Sequence, residues 1–328
     1  MPPAADAGNI GGLPTTRRKS PRRSSPLLSQ LEVLGARIPI RLLRSLRFET
    51  AFRLGERLGD VAYHFARPQR RIALVNLRIA FPEKSEAERL AIVRAACRNF
   101  GRMGAEFCHM CRITRENVAE HVTFENPKFW NDNKWIIGTT GILALSGHFG
   151  NWELLAHAMG MYGHPVHLIH RPFRNPYFTE LVAEERSRAG TGQISKFSAA
   201  REVIHILRNN GIVAVPYDQN ATARWGIFAP FFGVRASTHP GLPRLAVMSG
   251  APVYPVFLIR QDGGPRHQIL ILPEVELVRD GGDRDAALLE NARRLNFVFE
   301  DVVRRHPDHW IWMHKRWRTR PAGEPQIY

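Results

Sequence analysis

The sequence predicts an α/β protein, with a mostly parallel central sheet flanked by helices and preceded by an N-terminal helical region. Three observations predict it. Beyond residue 126, short apolar runs alternate with amphipathic stretches, as strands do with crossover helices. Before it, apolar residues recur at steps of three and four, the period of a helix. The 328 residues, 44 % hydrophobic and 23 % charged, have the composition of an ordinary globular chain.

Residues 1–26 are rich in Pro, Gly, Ser and Thr, with Arg17, Arg18, Lys19, Arg22 and Arg23 near the end, and read as a disordered basic tail. No apolar stretch follows these charges, so the tail makes a poor secretory signal. From Leu27 to about Ala66, Leu28, Leu31, Leu34, Ile38, Leu42, Leu43 and Leu46 mark helix, which Pro39 is expected to interrupt or kink. Arg37, Arg41, Arg44, Arg47, Arg53 and Arg57 lie among them. The result is a basic amphipathic segment suited to the headgroup region of a membrane, or a packed helix with a wet arginine face. No window of about 18 to 20 apolar residues is free of charge, so the segment is expected to lie on a membrane rather than cross it.

Ser85-Glu86-Ala87-Glu88 is a capping box, and the long helix it starts carries a core-facing stripe of Leu90, Val93, Cys97, Phe100 and Phe107. Cys97, Cys108 and Cys111 are odd in number and fall in helical sequence, which argues against a disulfide framework and for a reducing compartment. Cys108 and Cys111 form a CxxC with no second ligand pair, so they are expected as buried helix positions rather than metal ligands. After Asn126-Pro127, residues 141–145, 166–169, 212–215, 253–259 and 268–272 predict buried strands, and 152–162, 177–188 and 198–210 predict the helices between them. The organisation is therefore a tail (1–26), a helical membrane-associating region (27–125) and an α/β catalytic domain (126–328).

A net charge of +16, from 46 Lys and Arg against 30 Asp and Glu, attracts polyanions without choosing among nucleic acid, an anionic membrane and a phosphorylated substrate. Residues 310–318, WIWMHKRWR, interleave aromatics with cations as stacking grooves do, but no nucleic-acid module accompanies them and no nucleic-acid partner is expected. A serine hydrolase is disfavoured because no G-x-S-x-G elbow is present. His309 and His314 are five apart without nearby carboxylates, which is not a ligand spacing, so no metal and no cofactor are expected.

The chemistry concentrates in Ser146-Gly147-His148-Phe149-Gly150-Asn151-Trp152-Glu153, where the first clear strand gives way to a helix. Ligands of open α/β sheets gather at such strand ends. On a regular helix His148 and Glu153 would point about 140° apart. With His148 in the turn and Glu153 in the first helical turn, the carboxylate is expected to fold back onto the imidazole, fixing its tautomer and raising the basicity of its free nitrogen. The helix N-terminus offers amide donors to an oxyanion.

The string His148 to Glu153, HFGNWE, resembles the H-x4-D/E motif of the lipid A late acyltransferases of Gram-negative bacteria, a glycerolipid acyltransferase-like family. Further blocks resemble the family in order: 76–82 (NLRIAFP) and Glu106, His170-Arg171-Pro172 with Asn175-Pro176, Asp218-Gln219, 230–238, 245–257 and 310–321. The resemblance implies transfer of a fatty acyl group from an acyl carrier protein thioester, or acyl-CoA, to a hydroxyl of a phosphorylated glycolipid acceptor such as a lipid A precursor. It implies His148 as general base and Glu153 as the group that orients it. Arg171 would bind an acceptor phosphate or developing negative charge, Asn175 would help bind substrate, and Asp218 would contact the acceptor or hold the loop through 230–233. Phe228, Phe231 and Phe232 would line an acyl slot, dip into lipid or belong to the core. The acidic carrier protein, the phosphorylated acceptor and an anionic membrane surface would all answer the +16 charge. The expected place is the cytoplasmic face of the inner membrane, attached peripherally or monotopically. Relatives with the same motif acylate other lysolipids or phosphatidylinositol mannosides, which leaves the acceptor open.

Overall fold

The structure is a computed structural model and describes residues 26–128, 141–170, 173, 175–195, 199–280 and 282–328. Four helices come first: α1 (Pro26–Ser45), α2 (Phe48–Phe65), α3 (Arg67–Ala80) and α4 (Glu86–His109). The first runs through Pro39, and the chain breaks instead at Leu46 and Arg47. The capping box forms as its sequence requires: the Ser85 hydroxyl accepts from the Glu88 amide, and the Ser85 amide donates to the Glu88 carboxylate at 2.7 Å.

Helices α2 and α4 touch backbone to backbone. A side chain at Gly101 would begin 2.0 Å from the Gly55 carbonyl oxygen, and one at Gly59 would begin 2.4 Å from that of Cys97. Only glycine permits this approach, which buries Ala51 and Phe52 against α4. Arg44, expected on the wet face of α1, is tied inward: Nε donates to the Cys108 carbonyl at 2.8 Å and Nη2 pairs with buried Glu185 at 2.5 Å. Cys97 and Cys108 are buried, and Cys111 is partly so. Burial pushes the Cys108 thiol up to about 11, which leaves it an inert packing residue.

A short helix α5 (Val118–His121) leads into β1 (Val122–Phe124), and the alternating region follows. Its elements are β2 (Ile142–Ser146), α6 (Trp152–Met161), β3 (Val166–His170), α7 (Pro176–Ser187), β4 (Gly192–Ser195), α8 (Ala199–Arg208) and β5 (Ile212–Pro216). A hairpin of β6 (Ile227–Phe231) and β7 (Val234–Thr238) precedes α9 (Gly241–Ser249), β8 (Val253–Arg260), β9 (His267–Ile271) and α10 (Arg284–Arg305). The seven-stranded sheet has the order β1-β9-β8-β2-β5-β3-β4, parallel throughout except where β8 meets β9.

Central strand β2 shows why both faces are covered. Ile142 and Ala144 join one core with Leu154, Leu155, Val256 and Leu258; Leu143 and Leu145 join another with Val213, Leu207, Leu242 and Leu245. Alternate side chains point to opposite faces, so a strand apolar at four successive positions needs helices on both. The five anticipated strands and three anticipated helices are present, with ends shifted by one or two residues. The short strands β1 and β4, and the hairpin, are additions. β1 has three residues, and β4 is a partly polar edge strand with only Ile194 fully buried. The hairpin turns at Phe232 and Gly233, both at positive φ (49° and 73°). Phe231 and Phe232, weighed as acyl-slot or lipid contacts, are buried with Phe299, Trp310 and Trp317 in a third core cluster.

Candidate active site

Strands β2 and β5 lie parallel and in register, with Ser146 opposite Pro216. The ladder extends one step further, where the Tyr217 amide donates to the Ser146 carbonyl at 2.9 Å. One residue beyond, each chain presents a polar side chain, and the two meet: His148 Nδ1 lies 3.0 Å from Asp218 Oδ1. The other carboxylate oxygen, Oδ2, accepts from the Trp310 indole at 3.0 Å. Asp218 is 3 % exposed while 28 % of the His148 side chain is exposed, so the acid is sealed and the imidazole is reachable.

Burial alone would raise the Asp218 carboxyl. The charge and hydrogen bond of His148, together with the Trp310 indole, outweigh burial and hold it at about 2. Burial likewise pulls His148 down, but Asp218 and, through space, Glu153 overcome it and raise the imidazole above its ordinary value. A carboxylate on Nδ1 requires a proton there and leaves the Nε2 lone pair as the basic site. Gln219 Nε2 lies 3.3 Å from it, and Trp152 meets the ring edge-on with centroids 5.0 Å apart.

Glu153 does not fold back onto the imidazole as the spacing suggested. Its carboxylate receives two hydrogen bonds from Arg186 of α7, at 2.9 Å from Nε and 2.7 Å from Nη2, and a third from the Trp152 indole at 3.2 Å. The cause is position: Glu153 is the second residue of α6, turned toward α7, while the adjacent strand delivers Asp218 straight to the ring. Glu153 therefore acts on His148 through its field rather than by contact. Asn175 serves locally as the N-cap of α7, its side-chain oxygen accepting from the Tyr177 amide at 3.1 Å. Arg171 lies outside the described residues.

The turn itself is pinned from several sides. Gly150, at φ 57°, donates to the His309 carbonyl at 2.8 Å, and a Cβ there would strike the Leu258 carbonyl oxygen at 2.1 Å. A Cβ on Gly147 would meet the Phe299 ring at 2.5 Å. The Ile311 amide donates to the His148 carbonyl at 3.3 Å, which brings the C-terminal segment alongside. In that segment Trp310, Trp312, Trp317 and Arg316 are buried, so the aromatics that resembled a stacking groove are core. His314 Nε2 accepts from the Asn220 amide at 2.9 Å, and His309 Nδ1 pairs with Asp308 at 2.9 Å. A mainly apolar cleft runs beside the turn, lined by Ala96 and Phe100 of α4 with Gly150, Trp152, Trp310 and Met313. Sequence reading missed Arg186 and the indole of Trp310; nothing in their local sequence marks either, since each is defined by a partner remote in the chain.

A sheet covered on both faces, with an imidazole and a carboxylate meeting where two parallel strands end, is the architecture of an α/β enzyme. Comparison with known proteins specifies the reaction class. The family described as bacterial lipid A biosynthesis acyltransferase matches residues 28–319. The chain is 30 % identical over 297 residues to the lipid A biosynthesis lauroyltransferase of Escherichia coli K12, covering 88 % of this chain and 91 % of that protein. It is 26 % identical over 283 residues to the palmitoleoyltransferase of the same organism (84 % and 87 % covered) and 26 % identical over 272 residues to its myristoyltransferase (83 % and 82 % covered). The chain belongs to the bacterial lipid A biosynthesis acyltransferase family and is an acyltransferase.

Proposed function

We propose that the chain transfers a fatty acyl group from an acyl carrier protein thioester, or from acyl-CoA, to a hydroxyl of a phosphorylated lipid A precursor at the cytoplasmic face of the inner membrane. The observation that carries the chemistry is the 3.0 Å contact between His148 Nδ1 and buried Asp218. Nε2 takes the proton of the acceptor hydroxyl as its oxygen attacks the thioester carbonyl. A C–O bond forms, the C–S bond breaks, and the imidazolium returns the proton to the departing thiolate. Asp218 fixes the tautomer and stabilises the imidazolium, to which the Glu153 charge also contributes. No acyl-enzyme is required. Arg171, which follows the last residue of β3 in the sequence, is assigned to the acceptor phosphate or the developing negative charge. Asn175 supports that assignment as the cap of the helix that follows. The end of the acyl chain nearest the thioester is assigned to the apolar cleft beside the turn.

Attachment to the bilayer is assigned to α2. Leu54, Leu58, Val61 and Phe65 recur at helical spacing and are exposed, opposite the face that packs on α4, with Arg53 and Arg57 exposed among them. Apolar residues flanked by cations suit an anionic interface. Among the described residues no helix is long and apolar enough to cross a membrane.

The test is acyl transfer from acyl carrier protein thioester to a tetra-acylated lipid A precursor in detergent micelles. Wild type is expected to add one acyl chain, and His148→Ala to lose about 10²- to 10⁴-fold in rate while remaining folded. Full activity in His148→Ala would overturn the chemistry. Thioester consumption with another lysolipid, and none with the lipid A precursor, would overturn the acceptor.

A further inference from the structure

We infer that Glu106 is a positioning residue for acyl transfer, acting through Asn151 on the turn that carries His148; the inference rests on the reaction proposed above. Glu106 projects from α4 and is 3 % exposed, and its hydrogen-bond partners are Arg260, His267 and Asn151 rather than His148. Its Oε1 accepts from Arg260 Nη1 at 2.5 Å and faces His267 Nε2 at 3.0 Å. Its Oε2 accepts from Arg260 Nη2 at 2.9 Å and from Asn151 Nδ2 at 2.8 Å. Burial opposes the charge, but His267 and Arg260 hold the carboxyl at about 2, so it remains an anion.

A buried ion pair is a poor source of stability, because desolvating two charges offsets most of their attraction. What it supplies here is direction. An ionised carboxylate only accepts hydrogen bonds, so Asn151 must present its NH2 to Glu106 and turn its oxygen the other way. That oxygen is then in place to accept from the Leu154 amide at 3.0 Å as the N-cap of α6. The residue that starts the helix is thereby oriented by a charge on α4. The helix start sets where Glu153 stands, three residues after Gly150 and five after His148.

Arg260 also holds the other side of the turn, through its backbone rather than its charge. The Arg260 backbone amide donates to His309 Nε2 at 3.0 Å, the His309 carbonyl accepts from Gly150 at 2.8 Å, and the His309 ring stacks on Phe149 with centroids 5.4 Å apart. Glu106 and Arg260 thus form one clamp with two jaws, Asn151 and His309, closed on residues 148–151. Asn99, two helical turns earlier on α4, adds to the second jaw by donating to the Asp308 carboxylate at 2.8 Å.

The test uses the full chain with Glu106→Gln, Asn151→Ser and the double variant Glu106→Gln/Asn151→Asp, each checked for folding by thermal unfolding. Glu106→Gln offers an NH2 where Asn151 needs an acceptor and releases the amide to flip. Its kcat is expected to fall about tenfold or more, since a turn displaced by an ångström misaligns the base, while KM for the thioester changes little. The Nδ1–H proton resonance of His148, read in protein labelled with nitrogen-15 histidine, is expected to shift. In the double variant a carboxylate at position 151 accepts from the side-chain amide introduced at position 106 and still caps Leu154, so both kcat and the resonance are expected to recover. Asn151→Ser keeps the cap and leaves the Glu106, Arg260 and His267 cluster intact but severs the link, and is expected to behave as Glu106→Gln does. Unchanged kcat and an unchanged His148 resonance in folded Glu106→Gln would overturn the inference, as would a double variant no better than the single. Should Glu106→Gln not fold, Asn151→Ser decides by the same two readouts. Should wild type transfer nothing to the lipid A precursor, the reaction assignment fails, while the His148 resonance still reads the clamp.

Discussion

At the scale of single residues the site is a matter of counting from strand ends. His148 stands two residues past Ser146 and Asp218 two past Pro216, and those strand ends are paired in register. Asp218 also dictates a pH response. With the neutral imidazole as the proposed base, the rate is expected to fall as pH drops through the raised His148 pKa. In Asp218→Asn the carboxylate that raises it is gone and burial pulls the pKa down. The acid limb of the kcat profile is therefore expected to move to lower pH, while the plateau drops about a hundredfold or more through loss of the correct tautomer. An acid limb that stays in place would mean that Asp218 does not set the His148 pKa. The sequence displayed His148 and even the strand ends, but not the register, so the orienting role went to Glu153, the nearest carboxylate along the chain. Contacts within one turn are legible from spacing. A contact 70 residues apart requires the sheet.

At the scale of elements, the crossing of α2 and α4 depends on three glycines that no periodicity rule flags, since glycine inside a helix ordinarily lowers its stability by about 1 kcal/mol relative to alanine. Gly101→Ala is expected to destabilise by about 1–3 kcal/mol, because the new methyl meets the Gly55 backbone rather than a yielding side chain. Thermal unfolding measures it; a melting temperature equal to that of wild type would show that the helices can move apart freely. The buried strands were legible because each is a continuous apolar run bounded by polar residues. β1, β4 and the hairpin were not, since short edge strands and a Phe-rich hairpin bury too little alternating surface to print a pattern. Of the two effects expected of Pro39, an interruption does not occur: α1 continues through it to Ser45.

At the scale of the whole molecule, the +16 charge and the exposed stripe of α2 make a joint prediction. Sedimentation with vesicles containing anionic lipid is expected to exceed that with neutral vesicles and to weaken as salt rises past about 0.1 M, where the screening length is about 10 Å. Leu58→Asp/Val61→Asp is expected to lower the retention that persists at high salt. Binding indifferent to both lipid charge and these substitutions would remove α2 from the interface.

The segment that closes the active site has a further consequence, in the order of synthesis. The Trp310 indole seals Asp218, the Ile311 amide fastens His148, and Asn76 of α3 donates to the carbonyls of Trp312 and His314, 236 and 238 residues later. On the ribosome, α3 and strands β1 to β5 emerge long before these partners exist. Until residues 310–317 arrive, Asp218 lacks its indole donor, the turn at His148 lacks one of its anchors, and three tryptophans of the core have yet to be made. The nascent chain thus holds His148 and Asp218 before the indole that ties down the second carboxylate oxygen, and the arrangement is completed only with the C-terminal tryptophans.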